Sequence, residues 1–251
     1  MIMGRRRFVS TGRLVRFFGV ALMASVPAGA FAQARGGASP TQAITRPELA
    51  GPDLTGVYQL VPNGVTLPGG LRNEGSPDDV PLQPAAQATQ KTTDLKDDVK
   101  NLCLPVGPFR MMAWPGNKID VYRSPGRINI HFENYFLGHM RLIYLDRQQH
   151  KPGSYWLGDS IGRWEGDTLV ADTVNFNAYT WLNGAGAPHS DALRLTERFR
   201  LVEGGKYLEV KVTAEDPKVL TRPYSYTRYY ERTTNEIREY ICWDDVLTTG
   251  P

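Results

Sequence analysis

The chain of 251 residues carries 29 Lys and Arg against 26 Asp and Glu, a formal net charge of +3. Five of the basic residues (Arg5, Arg6, Arg7, Arg13 and Arg16) lie in the first 34 positions, which hold no acidic residue; without them 24 basic residues face 26 acidic ones, a net of −2. The basicity belongs to the N-terminal segment, so the charge argument for nucleic acid or an anionic membrane surface as partner disappears.

Residues 1–34 have a basic head, an apolar run at 17–32 and a small-residue exit, the order of a signal peptide. Gly19, Pro27 and Gly29 interrupt the run, which is shorter than the roughly 20 apolar residues of a spanning helix, so no stable membrane anchor is expected. Cleavage fits the Ala-x-Ala sequences ending at Ala32 or at Ala34. Arg5-Arg6-Arg7-Phe8-Val9 resembles a twin-arginine signal, but a short arginine motif is weak and an ordinary Sec leader is favoured. Either route predicts a periplasmic or secreted protein. Residues 35–52, rich in Gly, Pro, Ala and Ser, read as a flexible linker. The rest, 53–251, is long enough for one substantial core.

A first strand is predicted over 54–60, where Gly56 and Tyr58 faintly resemble the opening of lipocalin-type barrels. Residues 81–100 have helix-forming and charged side chains but few large apolar ones, so a helix there lies on the surface. Beyond it, Gly and Pro punctuate β-prone runs at 119–123, 127–135, 141–146, 163–173, 192–201, 207–214, 224–231 and 236–243. Two tight turns are visible at Glu165-Gly166-Asp167 and Glu203-Gly204-Gly205-Lys206. Short strands at this spacing, with no helix of crossover length between them, predict a mainly β fold. Its form is a single antiparallel β-barrel, such as a lipocalin-like one, or a sandwich, with one or two short surface helices.

Cys103 and Cys242, the two cysteines, are expected to form a disulfide in an oxidising compartment. The alternative, a reactive or metal-binding thiol, lacks a Cys-x-x-Cys or a histidine at ligand spacing.

Strand alternation singles out Glu197, which shares its side with Leu193, Leu195, Phe199 and Leu201. A carboxylate among apolar groups either pairs with a cation or shifts its pKa toward neutrality, the condition of a general acid or base. The run at 127–135 separates Ile128, Ile130 and Phe132 from Asn129, His131, Glu133 and Tyr135, and Arg141 follows. That polar side is either a solvated surface or the lining of a ligand cavity. His131, His139, His150 and His189 form no metal-ligand motif, so no metal is expected. His189 stands in a loop leading to the Glu197 run, a common place for functional groups and also for a turn-capping histidine. Gly158-Asp159-Ser160-Ile161-Gly162 fits Gly-x-Ser-x-Gly, and Ser160, Asp172 and His189 follow in hydrolase order, but the hairpin predicted after Ser160 argues against a nucleophile elbow. Most of Tyr224, Tyr226, Tyr229, Tyr230, Trp156, Trp164 and Trp181 are expected in the core, with some free to stack on a flat ligand.

Residues 160–173 (SIGRWEGDTLVADT) are similar to a motif of a large, mainly uncharacterised family of exported bacterial proteins. Cys103-Leu104-Pro105, Tyr144-Leu145-Asp146, His189-Ser190-Asp191-Ala192-Leu193 with Thr196-Glu197-Arg198-Phe199, and Glu215-Asp216-Pro217 extend the resemblance. The chain departs from it at Arg147-Gln148-Gln149-His150, where a glycine-containing turn is expected before the histidine. The resemblance implies export and no particular reaction.

The leading functional expectation is a cofactor-independent lyase or decarboxylase acting on a small aromatic compound. Glu197 or His189 would move the proton, with His131 and Tyr135 assisting, while Arg141, Glu133 and Trp181 hold the substrate. The alternative is a non-catalytic small-molecule carrier with a lipocalin-like cavity, and a third reading is a serine hydrolase acting through Ser160.

Overall fold

The structure is a computed structural model that describes residues 46–133 and 139–238. Among these residues nine strands form a closed barrel: β1 (Gly56–Leu60), β2 (Lys118–Ser124), β3 (Arg127–Phe132), β4 (Met140–Tyr144), β5 (Asp159–Glu165), β6 (Thr168–Val174), β7 (Arg194–Val202), β8 (Tyr207–Glu215) and β9 (Tyr224–Thr233). Each strand neighbours the next in sequence, and β9 closes on β1 antiparallel. The predicted mainly β fold is present, and closure gives every strand a neighbour on each side.

An odd number of strands in a purely antiparallel meander would bring the first and last together parallel. The chain resolves this at one seam, where β4 and β5 run parallel. A parallel pair requires a crossover, and residues 145–158 supply it as a strap without a helix. The seam is the weakest part of the sheet: only Ile143 with Ser160 and Tyr144 with Ile161 are paired across it, leaving residues 140–142 of β4 without a β5 partner. By contrast β7 and β8 pair along their whole lengths, Arg194 with Glu215 through Val202 with Tyr207.

Strand alternation fills the interior. Ile119 and Val121, Ile128, Ile130 and Phe132, Leu195 and Phe199, Val210 and Val212, and Tyr226 and Tyr230 are all buried. The helices are α1 (Pro84–Thr92) and α2 (Pro108–Met111). α1 occupies the middle of the predicted 81–100 helix and, as expected, lies on the surface, with Ala86 its buried residue. The rest of that stretch forms short 3-10 turns at Leu95–Asp97 and Val99–Leu102. α2, fully buried, was not anticipated and plugs one end of the barrel. The Tyr226 hydroxyl donates to the Phe109 carbonyl at 2.5 Å and the Tyr230 hydroxyl to that of Met112 at 2.6 Å. At the predicted linker's end, residues 46–52 are ordered against the sheet: Glu48 is buried and accepts from the Gly126 amide at 3.1 Å.

Two local expectations change. The predicted run 163–173 is a hairpin whose first arm begins at Asp159, so Ser160 lies within a strand. Gly166, at φ 62, occupies the first position of its two-residue turn, where a side chain is strained. Of the predicted strand at 236–243, residues 236–238 have no regular structure and the remainder lies outside the described residues. The signal segment, Tyr135 and Cys242 lie outside them as well. Cys103 is engaged rather than free and has φ 59 at the end of the Val99–Leu102 turn.

Candidate functional site

Four strands bring one polar network into the barrel centre. Glu197 of β7 is level with Ala171 of β6, and Ser160 of β5 is level with Thr173 of β6. Arg141 enters from β4, on the inward side with Ile130. Its Nη1 donates to Glu197 Oε1 at 2.6 Å and its Nη2 to Glu197 Oε2, a bidentate pair. Nη2 also reaches Thr173 Oγ1 at 2.7 Å and Ser160 Oγ at 3.1 Å, and Nε lies 3.3 Å from Ser160 Oγ. Arg141 is 1% exposed and Glu197 0%. An isolated charge at such a depth is prohibitive, but opposite charges in a fork geometry with added hydroxyl acceptors satisfy each other. The guanidinium also spans the seam where the backbone ladder is incomplete. The same enclosed position pushes the Tyr226 hydroxyl pKa well above its ordinary value, chiefly through burial.

The seam opens outward into a cavity of about 340 Å³ between β4, β5 and the strap. Arg141 and Ser160 form its floor side, Met140, Leu142 and Leu157 supply apolar wall, and Arg147 and Lys151 of the strap bring two cations. The Arg147 guanidinium lies on the Tyr144 ring, 3.2 Å from its centroid, and donates to Asp159 Oδ1 at 3.2 Å. His150 fastens the strap to the barrel. Its Nδ1 is 3.0 Å from Asp159 Oδ2 and its Nε2 is 3.2 Å from Asp172 Oδ2. Burial raises the Asp172 pKa, but the bonds from Arg194 and His150 outweigh it and hold the group below the usual carboxylate range. Gly158 closes the strap at φ 69, and a Cβ there would stand 2.5 Å from Thr173 Cγ2.

No protein-family model matches the chain, and no curated protein matches it. Among solved structures, a REP1-NXSQ fatty acid transporter is similar over 73% of this chain and 98% of its own, at 9% identity and a TM-score of 0.38. That degree of likeness carries no inference about ligand or activity.

The expected grouping of His131, Glu133, Tyr135 and Arg141 on one wall does not form among the described residues. Register is the reason. Arg141 is opposite Ile130 and points inward, whereas His131, one residue on, is opposite Met140 and Asp120 on the outer side. Burial raises the Asp120 pKa, with the His131 charge opposing it. Glu133 is buried on that outer side against Lys118 Nζ at 2.6 Å, beneath residues 236–238, where Arg238 N donates to it at 3.2 Å. Trp181 is half-buried in the loop before His189 and does not line the seam cavity. Ser160 sits mid-sheet, 2% exposed, and is followed by strand rather than helix, so the nucleophile-elbow geometry is absent. Asp172 engages Arg194 and His150 rather than His189.

His189 is a buried loop histidine. Because a carbonyl only accepts, Nδ1 carries the proton toward Ser190 O at 3.0 Å, leaving Nε2 to accept from Thr180 Oγ1 at 2.7 Å. The neighbouring motifs meet here: Asp216 accepts from Ser190 N at 2.6 Å and Ser190 Oγ at 2.8 Å, tying the loop to the end of β8. Burial pulls the His189 pKa below the ordinary imidazole value. The unfolded chain takes up a proton near pH 6.5 that the folded loop resists, so this contribution to stability is complete above about pH 6.5 and declines as pH falls toward the folded pKa. His189→Gln is expected to flatten the loss of stability between about pH 6.5 and 5. Denaturant midpoints across that range check it, and an unchanged slope would refute the assignment.

Of the residues that shape the seam cavity, Tyr144, Arg147 and Asp159 stood in quoted motifs without being read as site residues, and Lys151 stood in none. The readable signal was the length of chain between the fourth and fifth strands, long enough for a crossover.

Proposed function

We propose that the protein is a non-catalytic carrier of a small anionic molecule with an apolar body, bound at the β4–β5 seam. The observation that supports this reading is the juxtaposition of Arg147 and Lys151 with Met140, Leu142 and Leu157 around one cavity. A ligand there lays its body on the apolar wall and its anion toward the strap cations, while the β5-facing backbone of residues 140–142, which has no ladder partner on that side, offers further hydrogen bonds. Glu197 is read as the anchor of Arg141. Both its oxygens are bonded to the guanidinium and it has no exposed surface, so a substrate proton cannot reach it as a general base requires. With the N-terminal export signal, carriage is read as taking place outside the cytoplasm.

The test compares phenylacetate with 2-phenylethanol, which share a body and differ in charge, by titration calorimetry. Phenylacetate is expected to bind more tightly, and Arg147→Ala with Lys151→Ala together to weaken it about tenfold or more, from the loss of hydrogen bonds to charged groups. Equal affinity for the two compounds, no binding of phenylacetate, or an unaffected double variant would each overturn the assignment.

A further inference from the structure

A second cavity, of about 280 Å³, lies at the plugged end of the barrel beside α2, remote in sequence from the strap. Two buried guanidinium groups line it. Arg228 of β9 is 2% exposed and Arg110 of α2 is 4% exposed. Their situations differ. Arg110 is neutralised by Asp98, which accepts from Nη1 at 3.1 Å and from Nη2 at 2.7 Å. Arg228 makes no ion pair with a carboxylate among the described residues; its Nη1 donates to the carbonyls of Glu74, Gly75 and Thr227 at 3.2, 2.9 and 2.9 Å. Those three carbonyls fix one corner of the group. Its Nε is buried with no hydrogen-bond partner, and so is that of Arg110.

A guanidinium recognises an oxyanion best through its Nε and Nη2 edge, and no hydrogen bond within the described protein occupies that edge of Arg228. Burial disfavours the charged form of Arg228 and pulls its pKa down, so a bound anion would relieve an uncompensated charge. The charges facing the cavity are Lys100, Arg110 and Arg228 against Asp78, with Asp98 behind Arg110. Three cations against two carboxylates leave one positive charge in excess, which fits a singly charged ligand. The Trp114 ring is already covered by Arg110, 5.0 Å from its centroid, which stiffens the wall.

We propose that this cavity is a second binding site, in which the Arg228 guanidinium, whose Nη2 has no hydrogen-bond partner among the described residues, takes a small monoanionic oxyanion, the carboxylate of a small acid or a phosphate group. The site is independent of the seam. The chemistry is shared by both anions, so the experiment separates them. Arginine side-chain Nε–H resonances of the wild-type protein are followed by ¹H–¹⁵N spectroscopy while acetate or inorganic phosphate replaces chloride at constant ionic strength, slightly below neutral pH.

The expected result is a saturable shift of the Arg228 signal with a smaller one at Arg110. The Arg228 signal is assigned by its loss in Arg228→Gln, which is also expected to abolish the saturable response at Arg110. Saturation at lower acetate than phosphate identifies a carboxylate ligand, and the reverse order identifies a phosphate group. Shifts that grow linearly with either anion, or that chloride reproduces, overturn the proposal. If Arg228→Gln does not fold, Arg228→Lys, which keeps the charge, provides the assignment, and a wild-type protein with no saturable arginine Nε–H shift overturns the proposal. Arg147→Ala with Lys151→Ala is expected to leave the response unchanged, so failure of the seam reading and failure of this one are separately visible.

Discussion

Glu197→Ala is expected to destabilise the barrel by about 3–5 kcal/mol, because it strands a charge that the fold has no other means to neutralise. Arg141 is 1% exposed and donates both terminal nitrogens to that carboxylate. The remaining acceptors, Ser160 Oγ and Thr173 Oγ1, are neutral hydroxyls and do not compensate a cation. The double replacement Arg141→Met with Glu197→Leu removes both charges and fills similar volume, so it is expected to recover most of the loss and to match or exceed the parent. Urea unfolding of the parent, Glu197→Leu, Arg141→Met and the double variant, with Glu197→Ala alongside, provides the measurement. A Glu197→Ala protein within about 1 kcal/mol of the parent would show that the pair is not the buried anchor described. The cycle also bears on function, since a carboxylate replaceable by leucine without loss of ligand binding is not part of the binding chemistry.

The second large effect is expected at the barrel plug. Phe109 is 2% exposed and meets the Tyr226 ring edge-on, with centroids 5.0 Å apart. Its helix, α2, is too short to hold itself together by backbone bonds alone, since isolated helices of a few residues are unstable. It is held by packing and by the hydroxyls of Tyr226 and Tyr230 on its carbonyls. Phe109→Ala removes the ring and leaves a void between rigid strands, at a cost of about 3–5 kcal/mol. Thermal and urea denaturation check this. A loss below about 1 kcal/mol would mean that α2 collapses into the space and is not a fixed plug.

Several features were legible because they depend only on local pattern. Alternation along 193–201 places Glu197 among apolar neighbours, and the structure buries it in the barrel interior. The sparse apolar content near α1 reads as a surface helix and is one. Gly166 marks a tight turn, and β5 and β6 fold back at that position. The Gly-x-Ser-x-Gly letters show the limit of this approach. Nothing in five residues distinguishes an elbow from a strand, and the environment made Ser160 part of a sheet.

Sequence by itself determined that the folded region is a β-barrel or sandwich, that one acidic residue enters its apolar side, and where two of its hairpins turn. Period-2 alternation assigns a side chain to a face but says nothing of which distant residue it meets there. The choice of Arg141, 56 positions from Glu197, was made by closure of the whole sheet. So was the parallel seam that nine strands require for an antiparallel closure, and with it the strap and its cavity. Register between strands is a collective property of the closed ladder, and a shift of one residue would have turned Arg141 outward and His131 in.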